Sequence, residues 1–404
     1  MFQFVRTTLA VLCLSSCVVT TPISSSNVNI PDSTNILHRA SSNKISPKVF
    51  IISMFDSEEE VWFGIPEFDL LAQNITVTGF SAQFPAVHCT ADGSICQATT
   101  SMAEINAAVT TTALVLSPHF DLTSTYFLIA GIGGINPEVT TVCSVTFARY
   151  AVQVALQYEF DPRELPKNWS TGYVPQGSTT PDQYPGEIYG TEVYEVNDAL
   201  RKLAVNFART ATLNDSAEAI AYRALYASSD GIYAAGTQLP SVVECDVATS
   251  DNYWSGKMLG ESFSKFTRLV TNGTGVYCNT AQEDNATLEA LIRAHAAGLV
   301  DFHRIIIMRS ASDMDRPYPG QEATSNLWWE NQGAFEPAVQ NLYLAGVKIV
   351  EGILDGWNKT FANGVKAENY VGDILGTIGG APDFGPGPML AEASTKKRSL
   401  RSRR

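Results

Sequence analysis

The sequence predicts an α/β protein, a three-layer α/β/α sandwich. Two observations carry that expectation. Short apolar, β-branched runs at residues 48–52, 126–130 and 304–308 have the composition of strands buried on both faces. Stretches with helical spacing lie between and after them, which is the alternation that builds a sheet covered on both sides. A chain of 404 residues with 45% hydrophobic residues has ample material for one such core.

The elements follow in order. Residues 48–52, KVFII, open the sheet, and a helical segment is expected near 58–63. Residues 104–117 read as a helix packed through Ile105, Ala108, Thr112 and Val115. The second strand runs directly into Gly131-Ile-Gly-Gly134, read as a tight strand–helix turn. Residues 143–158 are β-branched and aromatic, a further strand, and the Pro/Gly-rich stretch 161–190 is a long loop. Residues 191–209 and 215–227 are helical. Residues 283–299 form an amphipathic helix with Thr287, Leu291, Ala294 and Gly298 on one side. The third strand ends at residues 309–313, RSASD, and a last helix spans 335–358. The Gly/Pro-rich residues 377–390 end the domain.

The two ends differ from the body. Residues 1–21 carry a lone Arg6, an apolar run and then small residues, the pattern of a signal peptide. Residues 22–46 are a Ser/Asn-rich leader, and 47–390 are the folded domain. The formal net charge is −14, yet the last nine residues hold six basic groups and no acid. Residues 1–395 therefore carry 21 basic and 41 acidic groups, a net −20. An acidic body is a poor binder of polyanions, so nucleic acid is not an expected partner. The tail, 391–404, is expected to be disordered. No later stretch has the ~20 apolar residues of a membrane-spanning helix. A secreted or cell-surface location follows.

Seven cysteines occur, two of them in the signal segment. Cys89 and Cys96 bracket a turn-rich loop and are placed to pair; Cys245 with Cys278 is a plausible second bridge, which leaves Cys143 free. Other pairings of five thiols remain open. Six N-x-S/T acceptors suit an exported chain; Asn285 is expected to be bare because it falls in a candidate site segment. The five histidines are scattered and no C-x-x-C pair occurs, so neither a metal site nor a cofactor is expected.

Ligands of open α/β sheets bind beyond the carboxyl ends of the strands. Three segments sit at such ends here: 53–61 with its run Glu58-Glu59-Glu60, the Gly131–Gly134 segment, and Ser312-Asp313. Glu283 opens the helix that leads into the third strand, so four distant segments converge on one rim.

The segments VFIISMFDSEEEVW (49–62), FPAVHCTADGSICQ (84–97), TYFLIAGIGGINP (125–137), LQYEFDPRELP (156–166), QEDNATLEAL (282–291) and RSASDMDRP (309–317) make the chain resemble the purine nucleoside permease family of fungi and bacteria. That family is itself similar to the nucleoside phosphorylases and nucleosidases. QEDNA stands where that superfamily has a Met-Glu-x-x-Ala helix start, and RSASD at its Arg-x-x-Ser-Asp strand end. The resemblance implies a nucleoside phosphorylase-like fold with a mixed central sheet and a protein that binds purine nucleosides outside the cell and supports their uptake. The alternative it implies is a secreted N-ribosyl hydrolase or phosphorylase, with phosphate as co-substrate in the second case. Homo-oligomeric assembly is a further implication.

Roles carry over by position. Asp313 would protonate the purine, Glu60 would activate water, and Glu283 would hold the ribose hydroxyls. Gly133 and Gly134 would let the backbone approach the nucleoside, and Arg309 would steady the turn that carries Asp313. One carboxyl must then be protonated and another ionised, which burial and neighbours can arrange. Tyr253 and Trp254 are candidates for contact with the base. Where the superfamily commonly has a glycine-rich turn, this chain reads Ser101-Met102-Ala103-Glu104.

Overall fold

A computed structural model describes residues 44–228 and 230–385. The expected signal peptide, most of the leader and the basic tail lie outside the described residues. The chain begins with β1 (Val49–Ser53), α1 (Asp56–Glu60), β2 (Gln73–Thr76), β3 (Ala86–Cys89), β4 (Ile95–Thr99) and α2 (Glu104–Leu116). Then come β5 (Tyr126–Ile135), β6 (Val145–Ala148), β7 (Tyr150–Gln153), β8 (Gln157–Glu159), β9 (Tyr173–Pro175), β10 (Val193–Glu195), α3 (Asp198–Ala208) and α4 (Ala217–Ala224). The remainder holds β11 (Val242–Glu244), β12 (Asp246–Thr249), α5 (Lys257–Val270), β13 (Tyr277–Ala281), α6 (Asp284–Ala296), β14 (Ile305–Met314), α7 (Ala323–Trp328), α8 (Phe335–Asp355) and β15 (Gly372–Asp373).

The sheet is mixed. Its centre is parallel, with β1 between β4 and β5, and β14 alongside β5. The edges turn antiparallel, through β3 against β4 and β10 against β7. Alternate residues of the central strands face opposite layers. Phe50, Ile52, Phe127, Ile129, Ile305 and Ile307 pack with Leu114 of α2 and Leu288, Leu291 and Ile292 of α6. Val49, Ile51, Leu128, Ile306 and Met308 pack on the other side with Leu200 and Val205 of α3 and Leu342, Ile349 and Val350 of α8. Both faces are therefore buried, as the unbroken apolar runs require. The three-layer expectation holds.

Both expected bridges are present, Cys89–Cys96 and Cys245–Cys278, and Cys143 is free and buried. Asn285, expected to be bare, is buried; its amide donates to the Thr191 carbonyl at 2.7 Å and its Oδ1 accepts from Thr249 at 2.6 Å.

Three local expectations need correction. Residues 191–209 are not all helical: Val193–Glu195 form β10, and α3 starts at Asp198 after the Asn197 cap. The Gly131–Gly134 segment is strand, not turn. β5 continues to Ile135, and β14 follows it to Met314, with a register irregularity between Ala311 and Asp313. Gly133 is needed there for a close approach: a Cβ at that position would lie 2.0 Å from the Thr280 carbonyl oxygen of neighbouring β13. In α2, Ile105 faces solvent, and Ala107, Thr110, Thr111, Leu114 and Val115 are buried. Alanine and threonine fill a close contact between α2 and α6, so the large apolar residue does not mark the inner face.

Candidate functional site

The extended β5 and β14, paired with each other to Ile135 and Met314, form one wall of a cavity of about 570 Å³. Its lining includes Met54, Phe55 and Glu58 after β1, Gly133 and Gly134 of β5, Glu283 before α6, and Arg309, Ser312 and Asp313 of β14. The four segments expected at one rim do meet. Met102, Tyr253, Trp254 and the stretch 330–335 complete the cavity.

Glu58 is the carboxyl that the first segment contributes. Its Oε2 accepts the Met54 N–H at 2.8 Å and its Oε1 accepts the Ile132 N–H at 2.6 Å. Burial pushes its pKa up to about 8; the Arg309 guanidinium opposes the rise and the Glu283 carboxylate adds to it. Glu60, expected at this place, is exposed and does not line the cavity. No spacing in the sequence separates the two: Met54 and Trp62 lie outside the five-residue α1, and within it Glu58 and Glu59 are buried and Glu60 is exposed.

Arg309 sits among acids. Its guanidinium bonds Asp284 and lies 3.3 Å from Glu283 Oε2, and its Nη1 donates to the Ile132 carbonyl at 3.0 Å. These partners hold its pKa above the usual guanidinium value. Arg309 thus braces Glu283 and the β5 backbone; the bond to the Asp313 segment is supplied instead by Ser312, whose Oγ donates to Asp313 Oδ1 at 2.7 Å. Gly131 makes room for this arrangement, because a Cβ there would stand 2.5 Å from Arg309 Nη1 and 2.9 Å from Glu58 Oε1.

Glu283 is buried at the head of α6. Its Oε1 accepts the Ala103 N–H at 2.9 Å. Asp313 is half-buried at the opposite side of the glycine segment, and burial pushes its pKa up to about 6. Gly134 lies against it: a Cβ would be 3.2 Å from Asp313 Oδ2. Glu58 and Asp313 thus stand beside positions 131 and 134 of β5, and both line the cavity. Tyr253 and Trp254 do line the cavity. Asp246, near them in sequence, accepts backbone N–H groups of Arg149, Tyr150 and Val276.

A family model described as purine nucleoside permease matches residues 46–366. The chain belongs to the purine nucleoside permease family. It is similar to a purine nucleoside permease of Candida albicans, 46% identical over 367 residues that cover 88% of each chain. A second, from Candida albicans strain SC5314, is 47% identical over 345 residues, covering 84% of this chain and 83% of that one. Among solved structures, a methylthioadenosine/S-adenosylhomocysteine nucleosidase of Neisseria meningitidis is 14% identical, with a TM-score of 0.44, covering 76% of this chain and 99% of the other. Among the described residues no helix is long and apolar enough to cross a membrane.

One expectation about metals changes. The histidines are not all apart: His295 and His303 stand together beside Asp301, away from the cavity lining.

Proposed function

We propose that this permease-family protein captures purine nucleosides in the cavity between Glu58 and Asp313 and holds them without cleaving them. The observation that carries the reading is the cavity itself, which brings Glu58, Glu283 and Asp313 into one lining; the order of the two raised carboxyls supports capture over cleavage. Cleavage of the N-glycosidic bond needs a proton on the group at the base and an ionised group at the water. At neutral pH the buried Glu58, near 8, keeps its proton, and Asp313, near 6, has lost its own. An ionised Asp313 is suited to accept an N–H of the purine, and Glu283 to accept from ribose hydroxyls.

Phosphate has little to bind to. Arg309 is the basic residue among those described in the cavity lining, and it is committed to Glu283 and Asp284. The two disulfides suit a protein that works outside the reducing cytosol, where capture would feed an uptake system.

Hydrolysis is the second reading, favoured by the presence of two carboxyls across one cavity. A single experiment separates the two. The purified chain is incubated with inosine or adenosine, with and without phosphate; bound nucleoside is measured by equilibrium dialysis and free base by chromatography. Saturable binding with no base release is expected. Base release without phosphate would establish a hydrolase, and release only with phosphate a phosphorylase.

A further inference from the structure

We propose that His295, Asp301 and His303 form a binding site for one divalent transition-metal ion of the zinc type. The site lies at the end of α6 remote from Glu283, about 20 Å along a helix of 13 residues. His295 occupies the last turn of α6. The chain then turns through residues 297–304 and enters β14. Asp301 and His303 lie on that turn, so three potential ligands from two elements face one point.

Their ligand atoms all lie within 4.8 Å of one another. Asp301 Oδ1 is 3.1 Å from His303 Nδ1 and 3.9 Å from His295 Nδ1. Ligands about 2.0–2.2 Å from a tetrahedral zinc ion stand roughly 3.3 Å apart, so the group needs only small side-chain rotations to close. The rings are free enough to make them, because the three side chains are 26%, 32% and 41% exposed. Access from solvent is open for the same reason.

The surroundings already orient the ligands. Arg304 Nε donates to Asp301 Oδ2 at 3.2 Å, which leaves Oδ1 turned toward the imidazoles. The His303 backbone N–H steadies that same Oδ1 at 3.1 Å. Such outer contacts are what hold metal ligands in place. The carbonyl end of α6 adds a field that favours a cation. One bond must yield: the Phe302 N–H donates to His295 Nδ1 at 3.0 Å, and a metal on that nitrogen displaces it. Two imidazoles and one carboxylate select zinc, nickel or copper over magnesium or calcium.

A metal here would tie the end of α6 to the start of β14, the two elements whose other ends carry Glu283 and Asp313. Its role is therefore to brace the scaffold, and nucleoside binding is expected to be the same with and without it. The test uses the full chain, stripped of metal by chelation and titrated with ZnCl2. One tightly retained zinc per chain is expected, with a higher melting temperature, and Mg2+ is expected to do neither. His295→Gln and His303→Gln should each weaken zinc binding by at least about tenfold. His38, His88 and His119 remain in both variants, so adventitious binding to those histidines is not changed. Co2+ titration of the wild-type chain gives a readout that does not depend on variant folding: visible d–d absorption of a tetrahedral N/O site is expected. Failure to retain zinc, a cobalt spectrum of the free aquo ion, or zinc binding that survives the double histidine variant would overturn the proposal.

Discussion

Ala103 donates its backbone N–H to Glu283 Oε1 from a φ of 77° and ψ of 161°, a conformation suited to glycine. Ser101, two residues earlier, also has a positive φ of 65°. The turn therefore keeps a glycine-type path although its residues have side chains, and that path delivers the N–H that positions Glu283. Strain of about 1–3 kcal/mol is expected at such a residue. Ala103→Gly removes it and adds back about 0.4–1 kcal/mol of unfolded-state entropy. A net gain of about 1 kcal/mol should raise the denaturant midpoint, with nucleoside affinity preserved. A midpoint that falls would show that the turn is relaxed with alanine.

Arg309 balances Glu283 and Asp284 in a nearly dry site, and Glu58 lies close enough to feel its charge. Removing one partner of a buried ion pair leaves the other charges uncompensated. Arg309→Met should therefore cost about 3–5 kcal/mol by denaturant unfolding. Arg309→Lys keeps the charge and loses the forked geometry, so it should fall between the two. Equal losses for both variants would mean that shape, not charge, is what the site needs.

The legible parts of this protein were those where pattern and burial coincide. The strands at 49–53 and 126–130 are apolar on both faces because helices cover both, and nothing else places such runs inside. The β5 extension was not legible: three glycines in four residues read as a turn, and only the close approach of the Thr280 carbonyl explains them as strand. Glu58 and Glu60 are chemically alike, and the choice between them depended on which side of a short helix faces inward. The pairing of His295 with His303 arises from a turn between two elements, which no local spacing reports.

Stability should fall as pH rises across the neutral range. A carboxyl whose pKa is raised on folding binds its proton more tightly in the native state, so deprotonation favours unfolding. Glu58 moves from an ordinary value of 4.5 to about 8, and Asp313 from 3.8 to about 6. Between these limits each group that is protonated folded and ionised unfolded contributes a slope of about −1.4 kcal/mol per pH unit. Asp313 acts at the acid end of the window and Glu58 up to about pH 8. Urea unfolding from pH 5 to pH 8 checks this, and Asp313→Asn should flatten the curve mainly below pH 6. A stability that is constant or rises over this range would contradict the raised carboxyls.

Binding should run the other way. If ionised Asp313 accepts an N–H of the purine, nucleoside affinity weakens as pH falls through about 6, where Asp313 gains its proton. Asn at this position keeps a carbonyl acceptor and the bond from Ser312 but loses the charge. A charged acceptor is worth about 1–1.5 kcal/mol more than a neutral one, so Asp313→Asn should weaken binding by roughly tenfold at pH 7.5 and remove its dependence on pH near 6. The hydrolytic reading makes the opposite forecast. There the aspartic acid must deliver a proton, so the variant would retain nucleoside and lose base release. Calorimetric titration of both proteins at pH 5.5 and 7.5 therefore reports which state of Asp313 meets the base.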